Sequence, residues 1–225
     1  MKEGDVVITF NYDIAVEREL KRVGLWEISN GYGYEILRSC RASPVRVLKL
    51  HGSANWMQCL GGSGFSVGDP LDKRPAIMPQ DMVALGYVDL TDPNFVSGGA
   101  HRRLVLPTRA KRFERRLFDG LWSQAIQALN EAAEIVVIGY SFPAADERAL
   151  ELLHEMNRTA EVVVGCLNDG ARICQLFHSA GLKKVTDIGS FEMWLNRSGD
   201  FYSEPSLPTY SLDRHAKISS WLTPR

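Results

Sequence analysis

The chain has 225 residues, enough for one full-sized domain and short for two. With 45% hydrophobic and 24% charged residues, it has the composition of an ordinary globular protein and not of a disordered one. Its 26 Lys and Arg residues balance 27 Asp and Glu residues, which excludes a general polyanion binder. No stretch approaches the roughly 18 apolar residues of a membrane span, and the opening residues lack the pattern of a signal peptide. These features predict a soluble, cytoplasmic protein.

Short apolar runs rich in β-branched residues predict five strands. They are Val6–Phe10, Val45–Leu50, Ile135–Ile138, Val162–Val164 and the weaker Val185–Ile188. Most of these runs do not alternate with polar residues, which is typical of parallel strands covered on both faces. Arg46 and Lys49 interrupt the second run, so we expect that strand to have one partly solvent-exposed face.

Amphipathic stretches lie between these strands and predict helices. Asp13 is expected to cap a helix whose apolar residues are Ile14, Val16, Leu20 and Val23. The longest helix is expected from Phe113 to Ala133, with an apolar stripe at Phe113, Leu117, Leu121, Ala125 and Leu129. Asp146 and Asp169 are expected to cap two further helices. The alternation of strands and helices predicts an α/β fold, a Rossmann-like doubly wound and mostly parallel sheet.

Two regions depart from this alternation. Residues 53–108 hold seven of the 19 glycines and five of the 10 prolines, which indicates an insertion over one end of the sheet. Residues 197–225 are expected to form an irregular tail after a domain spanning residues 1–196. No C-x-x-C pair occurs among the four cysteines, which argues against a metal site; they are Cys40, Cys59, Cys166 and Cys174.

Polar clusters follow four of the predicted strands. They are Thr9–Asp13, Lys49–Ser53, Gly139–Pro143 and Leu167–Asp169. Each cluster by itself is explained by a turn or a helix cap. Because the carboxyl ends of parallel strands meet at one edge of a sheet, where ligands of doubly wound folds bind, the four clusters together indicate a binding site.

These clusters resemble motifs of one known family. Thr9-Phe10-Asn11-Tyr12-Asp13 resembles the T-Q-N-x-D motif of sirtuins, and more closely the F-N-Y-D form of bacterial sirtuin-like domains. Leu50-His51-Gly52-Ser53 resembles their catalytic histidine motif. Further similar segments follow in the same order over about residues 5–196: Leu106–Thr108 with Lys111, Leu121-Trp122, Ile138–Pro143 with Asp146, Leu167–Asp169, and Ser190–Glu192.

The resemblance implies that the chain binds NAD as its substrate and cleaves the nicotinamide–ribose bond to give nicotinamide and ADP-ribose. Asn11 would orient the ribose hydroxyls or an attacking water, Asp13 would favour the developing cation, and His51 would act as general base. The residues implied in binding the dinucleotide are Thr9, Phe10, Gly139, Tyr140, Ser141, Asn168 and Asp169.

The sequence departs from the family in two ways. The first strand of the family and its G-A-G-x-S loop have no counterpart. The strands ending at Asn11 and Ile138 are therefore expected to pair directly or to receive another segment between them, unless Met1 is not the natural start. The zinc-binding cysteines of protein-deacylating sirtuins are also missing from residues 53–108, so no metal is expected. Many bacterial members of this kind hydrolyse NAD in defence against phage, which favours a hydrolase.

Several alternatives stay open. The chain is either an NAD hydrolase, a catalytically inactive remnant that binds a nucleotide or a partner protein, or an NAD-dependent protein deacylase. A homo-oligomer or a fused or partner sensor domain is also expected. Seven Lys and Arg residues lie from Arg102 to Arg116, of which Arg112, Arg115 and Arg116 are interpreted as the solvated face of the long helix. The alternatives are that the cluster binds nucleic acid or the phosphates of the dinucleotide, and nucleic acid is not the expected partner. Trp56 belongs either to the core or to a wall of the nicotinamide pocket.

Overall fold

The computed structural model of the chain describes residues 1–28, 30–34, 43–59, 76–78, 82–84, 100–104 and 115–197. The strands are β1 (Val6–Thr9), β2 (Arg46–Lys49), β3 (Gly52–Cys59), β4 (Ala76–Met78), β5 (Met82–Ala84), β6 (Ala100–Leu104), β7 (Glu134–Ile138), β8 (Glu161–Gly165) and β9 (Lys184–Asp187). The helices are α1 (Ala15–Arg22), α2 (Arg115–Glu131), α3 (Glu147–Glu155), α4 (Gly170–Ser179) and α5 (Phe191–Arg197). The predicted tail lies outside the described residues, apart from Arg197 at the end of α5.

The five strands predicted from apolar runs are confirmed, and all of them pair in parallel. β1 pairs with β2, and β7, β8 and β9 form a second sheet in that order. Within the described part of the chain, no backbone pairing joins β1 to β7. The α/β class is therefore confirmed as two small parallel sheets, while a single doubly wound sheet remains a prediction.

The predicted insertion contains regular structure in its described parts. Strands β4, β5, β3 and β6 form an antiparallel sheet in that order. Three of these strands have only three to five residues, which is too short to show a period in the sequence. Only two residues separate the end of β2 from the start of β3, because Gly52 adopts a φ of 85° and turns the chain sharply. This turn fixes the position of His51, which lies inside it.

One apolar core connects the two parallel sheets. Helix α2 packs against β2 and α3, and the described part of its predicted stripe, Leu121, Ala125 and Leu129, is buried. The stripe is wider than expected, because Phe118 and Trp122 are buried as well. Burial on this scale is the main favourable contribution to the free energy of folding.

Helix α1 turns a different face to the core than its apolar residues predict. Val16 and Val23 are 37% and 48% exposed, whereas Leu20 and Glu17 are buried. The expectation of a partly wet face on β2 holds at Arg46, which is half-buried, and is wrong at Lys49, which is only 1% exposed. The two differences have one cause: Glu17 of α1 and Lys49 of β2 form a buried ion pair with 2.9 Å between Oε1 and Nζ.

We expect Leu20→Ala to lower the free energy of unfolding by about 2–4 kcal/mol, because it removes a buried side chain and leaves a cavity. Val16→Ala serves as the matched control on the same helix, and its exposed position predicts a change within roughly 0.5 kcal/mol. Urea unfolding followed by tryptophan fluorescence measures both. Equal losses in the two variants would contradict the orientation of α1.

Candidate functional site

His51 is the centre of the candidate site and lies almost entirely below the surface. Its side chain sits in the turn between β2 and β3 and is 2% exposed. The imidazole Nε2 lies 3.0 Å from the Oδ2 atom of Asp146, whose side chain is also buried. A buried carboxylate is costly unless its oxygens accept hydrogen bonds, so this pair constrains both residues.

Asp146 has a different role from the predicted one. It stands at the N-cap position of α3, but its side chain makes no capping hydrogen bond. Instead, the same Oδ2 atom accepts a hydrogen bond of 2.8 Å from the Tyr140 hydroxyl. With the carboxylate ionised, Oδ2 only accepts hydrogen bonds, so the contact with the ring is made through a proton on His51 Nε2.

Aromatic contacts bring the ends of three strands together around His51. Phe10, after β1, stacks on Tyr140, after β7, with ring centroids 4.1 Å apart. Phe10 also meets the His51 ring edge-on at 5.1 Å, and Tyr12 lies 6.5 Å from it. The rings therefore join the two parallel sheets at their carboxyl ends. Three of the site residues named from the sequence, Phe10, Tyr140 and His51, lie in contact here.

The loop after β1 carries the predicted Asn11 and Asp13, and both side chains are exposed. The Asn11 amide donates to the Thr9 hydroxyl oxygen at 3.1 Å. The N-cap position of α1 is Ile14 and not the predicted Asp13, whose Oδ1 atom accepts the backbone amide of Ala15, the first residue of α1, at 2.9 Å. Asn11 and Asp13 therefore lie at the surface of a loop whose neighbouring rings contact His51.

The turn after β7 holds an unusual backbone conformation. Gly139 has a φ of 63°, and Phe142, which is not glycine, has a φ of 47°. The Phe142 side chain is buried and meets Tyr140 and Phe177 edge-on at 4.8 and 5.7 Å. Such a backbone costs on the order of 1–3 kcal/mol and persists only when the surrounding packing enforces it. Here the packing holds Tyr140 in position to reach Asp146.

The predicted residues after β8 are joined to this turn through Arg172. The Arg172 guanidinium donates to the backbone carbonyl of Ser141 and pairs with Asp169 Oδ2 at 3.2 Å. The side chains of Ser141 and Asn168 are exposed. Asp169 stands at the N-cap position of α4 without a capping hydrogen bond, so its prediction as a side-chain cap is wrong. All four polar clusters thus form one connected group, which we call the carboxyl-end cluster.

The Asp146 carboxylate also controls the ionisation of two tyrosines. Burial, with the hydrogen bond to Asp146, raises the pKa of Tyr140 far above its ordinary value. Burial and the nearby Asp146 charge also raise the pKa of Tyr12. Both phenols therefore stay protonated at neutral pH, and Tyr140 remains a hydrogen-bond donor.

The remaining candidate residues lie outside the carboxyl-end cluster or are buried in the core. Trp56 is fully buried and meets the Tyr32 ring edge-on at 5.2 Å, so it belongs to the core and does not wall a pocket. Burial raises the pKa of the Cys166 and Cys174 thiols. Among the described residues, no three His, Cys, Asp or Glu side chains are grouped to hold a metal ion. The side chains of the cationic segment 102–116 lie outside the described part.

Sequence reasoning missed three contacts of the site. The sequence predicts Asp146 as a helix cap and Lys49 on a partly exposed strand face, and it predicts no role for Arg172. Lys49 has a signal, because a lysine between apolar strand residues and a histidine motif is unusual on a buried strand. Asp146 lies in a segment of the family resemblance and six residues after Tyr140, but no local pattern indicates its contact with His51 or the contact of Arg172 with the Ser141 carbonyl.

Comparisons with protein-family models, curated proteins and solved structures gave no match for this chain. The sirtuin-like resemblance therefore rests on the motifs and on no detected relative. Within the described residues, no helix has the length and apolar character needed to cross a membrane.

We expect Tyr140→Phe to flatten the loss of stability at high pH. The pKa of Tyr140 is raised in the folded chain, so the unfolded chain loses this proton first, from its ordinary value of 10.0 upward. The contribution of the protonated Tyr140 phenol to the free energy of unfolding is therefore complete below pH 10.0 and is lost as the pH rises above it. Urea unfolding at about pH 8 and about pH 10.5 should show a smaller decrease in the variant than in the wild type. The same decrease in both would contradict the burial of the Tyr140 phenol beside Asp146.

Proposed function

We propose that this chain is an NAD glycohydrolase of the sirtuin-like type, releasing nicotinamide and ADP-ribose. The observation that carries the proposal is the convergence of Phe10, His51, Asp146 and Tyr140 at the carboxyl ends of three strands. Dinucleotides bind at this edge in parallel α/β folds. The motif resemblance supplies the substrate, and the cluster supplies a carboxylate-supported histidine of the kind that hydrolysis needs.

In the proposed reaction, the oxygen of a water molecule bonds to the anomeric carbon of the ribose while the nicotinamide–ribose bond breaks. Nicotinamide keeps the bonding electron pair and leaves as a neutral molecule, so positive charge develops on the ribose. The surface groups of Asn11 and Asp13 orient the ribose and favour that charge. His51 accepts the proton of the water at Nδ1, and Asp146 stabilises the resulting imidazolium before it releases the proton to solvent.

Access to His51 requires a local movement, because the imidazole is 2% exposed. Tyr12 is only partly buried, lies in the same loop as Asn11, and has its ring centroid 6.5 Å from that of His51. We infer that the nicotinamide end of the substrate displaces the Tyr12 ring. A rotation of this side chain leaves the loop backbone in place.

The burial of His51 also favours a second candidate, a catalytically inactive domain that binds a nucleotide. In that case NAD binds at the carboxyl-end cluster and no nicotinamide is released. A protein deacylase differs from both candidates, because it releases nicotinamide only when an acyl-lysine peptide is supplied. A cytoplasmic role in phage defence, with a homo-oligomer or a sensor domain, is proposed on the same resemblance.

We expect the wild type to release nicotinamide from NAD alone, and Asn11→Ala and His51→Ala to lower the rate by at least about a hundredfold, because each removes an orienting or proton-accepting group. Release is measured by chromatography, and thermal unfolding shows whether each variant is folded. His154→Ala, an exposed histidine of α3, is the matched control and should retain the rate. NAD binding by a folded wild type without release would replace the hydrolase with the binding domain.

We expect Asp146→Asn to lower the rate of nicotinamide release by about a hundredfold while NAD affinity changes only severalfold. An amide has one acceptor oxygen and presents N–H groups, so it no longer accepts from Tyr140 and His51 at one charged atom. The imidazolium also loses its counter-charge. Isothermal titration gives the affinity, and an unchanged rate would contradict the role of Asp146.

A further inference from the structure

We propose that Lys49 is a positioning residue, which holds the loop after β1 so that Asn11 and Asp13 face the reacting ribose. The inference rests on the proposed function for its chemistry, but its structural part stands on contacts of the described residues. Nothing in the sirtuin-like motifs assigns a role to this lysine. The argument depends on what its buried ammonium group touches.

Lys49 is the last residue of β2, and its ammonium group is enclosed with Glu17 of α1. The two side chains are 1% and 3% exposed, and Nζ lies 2.9 Å from Glu17 Oε1. Removing two charges from water costs several kcal/mol per ion, and apolar residues of the same size often stabilise a fold as much as a buried ion pair does. Stability alone therefore does not explain the presence of this pair. A directional hydrogen bond from Lys49 explains it.

The directional bond runs from Lys49 Nζ to the backbone carbonyl of Asp13. The preceding carbonyl, of Tyr12, accepts the Ala54 amide at 2.7 Å and the Ser53 hydroxyl at 3.4 Å. Two successive carbonyls of the loop are thus held by the end of β2 and the start of β3. Because the peptide planes on both sides of the Asp13 Cα are fixed, the direction of the Asp13 side chain is restricted. The neighbouring Asn11 is restrained by its own backbone amide, which donates to the Thr9 hydroxyl oxygen at 3.1 Å.

A second layer of contacts holds Glu17 in turn. The Tyr32 hydroxyl donates to Glu17 Oε1 at 3.1 Å, and Asn55 Nδ2 donates to the Tyr32 oxygen at 3.0 Å. Burial raises the pKa of Tyr32 well above its ordinary value, with a contribution from the Glu17 charge, so this phenol stays a donor. Hydrogen bonds to charged groups are stronger than neutral ones, and such a network holds Lys49 Nζ in one position.

The competing explanation is that Lys49 only neutralises Glu17. The double variant Lys49→Met, Glu17→Gln separates the two explanations. It removes both charges together, Gln keeps an acceptor oxygen for Tyr32, and Met keeps the apolar stem of Lys49. If the pair is only structural, the double variant should behave as the wild type. If Lys49 positions the loop, the double variant should be folded and stable but have a loosened loop.

Hydrogen–deuterium exchange measures the loop independently of activity. In the double variant we expect the amides of Ala15 and Ala54 to exchange at least about tenfold faster than in the wild type, with the amides of β8 unchanged. We also expect kcat for nicotinamide release to fall by about tenfold or more with KM within about threefold. Lys21→Met removes an exposed lysine from the same helix as Glu17 and is the control expected to change neither.

Wild-type exchange at both amides in a stable double variant would overturn the inference. So would a faster exchange spread equally over β8, because that reports general destabilisation. If the wild type releases no nicotinamide, the proposed function fails, while the exchange rates still decide whether Lys49 holds the loop. The two failures are therefore distinguishable.

A measurement on the wild type keeps the inference testable if the double variant does not fold. We expect nuclear magnetic resonance to show Lys49 ammonium protons that exchange slowly with solvent and a correlation between Nζ and the Asp13 carbonyl carbon across the hydrogen bond. Rapidly exchanging ammonium protons, like those of Lys21, would overturn the contact on which the proposal stands.

Discussion

The buried carboxylate of Asp146 is the constraint on which the carboxyl-end cluster depends. Its Oδ2 atom accepts from His51, in the turn after β2, and from Tyr140, after β7. In the described part of the chain, the two parallel sheets share no backbone pairing, so side chains and the apolar core hold them together. A buried charge tolerates little displacement, because losing a donor positioned for it leaves it poorly solvated. One side chain thereby sets the relative placement of three strand ends.

A buried ion pair, Lys49 and Glu17, holds the loop that follows β1. Asp146 determines where His51 lies, and Lys49 holds the backbone of Asp13. The exposed groups of Asn11 and Asp13 therefore stand on a firmly held base although their own side chains lie at the surface. Functional groups that must be placed to within a fraction of an ångström need such support from buried neighbours. The strained turn at Phe142 belongs to the same arrangement, since it directs Tyr140 at Asp146.

The elements with a strong period were predictable because burial follows directly from their residue pattern. The β-branched runs of β1, β7 and β8 and the stripe of Leu121, Ala125 and Leu129 appear where expected. Helix α1 is oriented differently from the prediction, because Val16 and Val23 indicate a core face and Glu17 indicates an exposed one. The partner that makes Glu17 an inward residue, Lys49, lies 32 positions further along the chain, beyond the reach of any local pattern.

The sequence by itself determined the α/β class, the parallel strands and the polar clusters at their ends, because these depend on local periodicity and on the position of polar residues relative to each strand. Only the tertiary structure decided which side chains meet. The contacts of Asp146 with His51, of Lys49 with the Asp13 carbonyl, and of Arg172 with Ser141 join segments distant in the chain, while Tyr140 lies six residues before Asp146. The physical reason is that a buried charge takes whichever donor or acceptor the packing of the core places beside it.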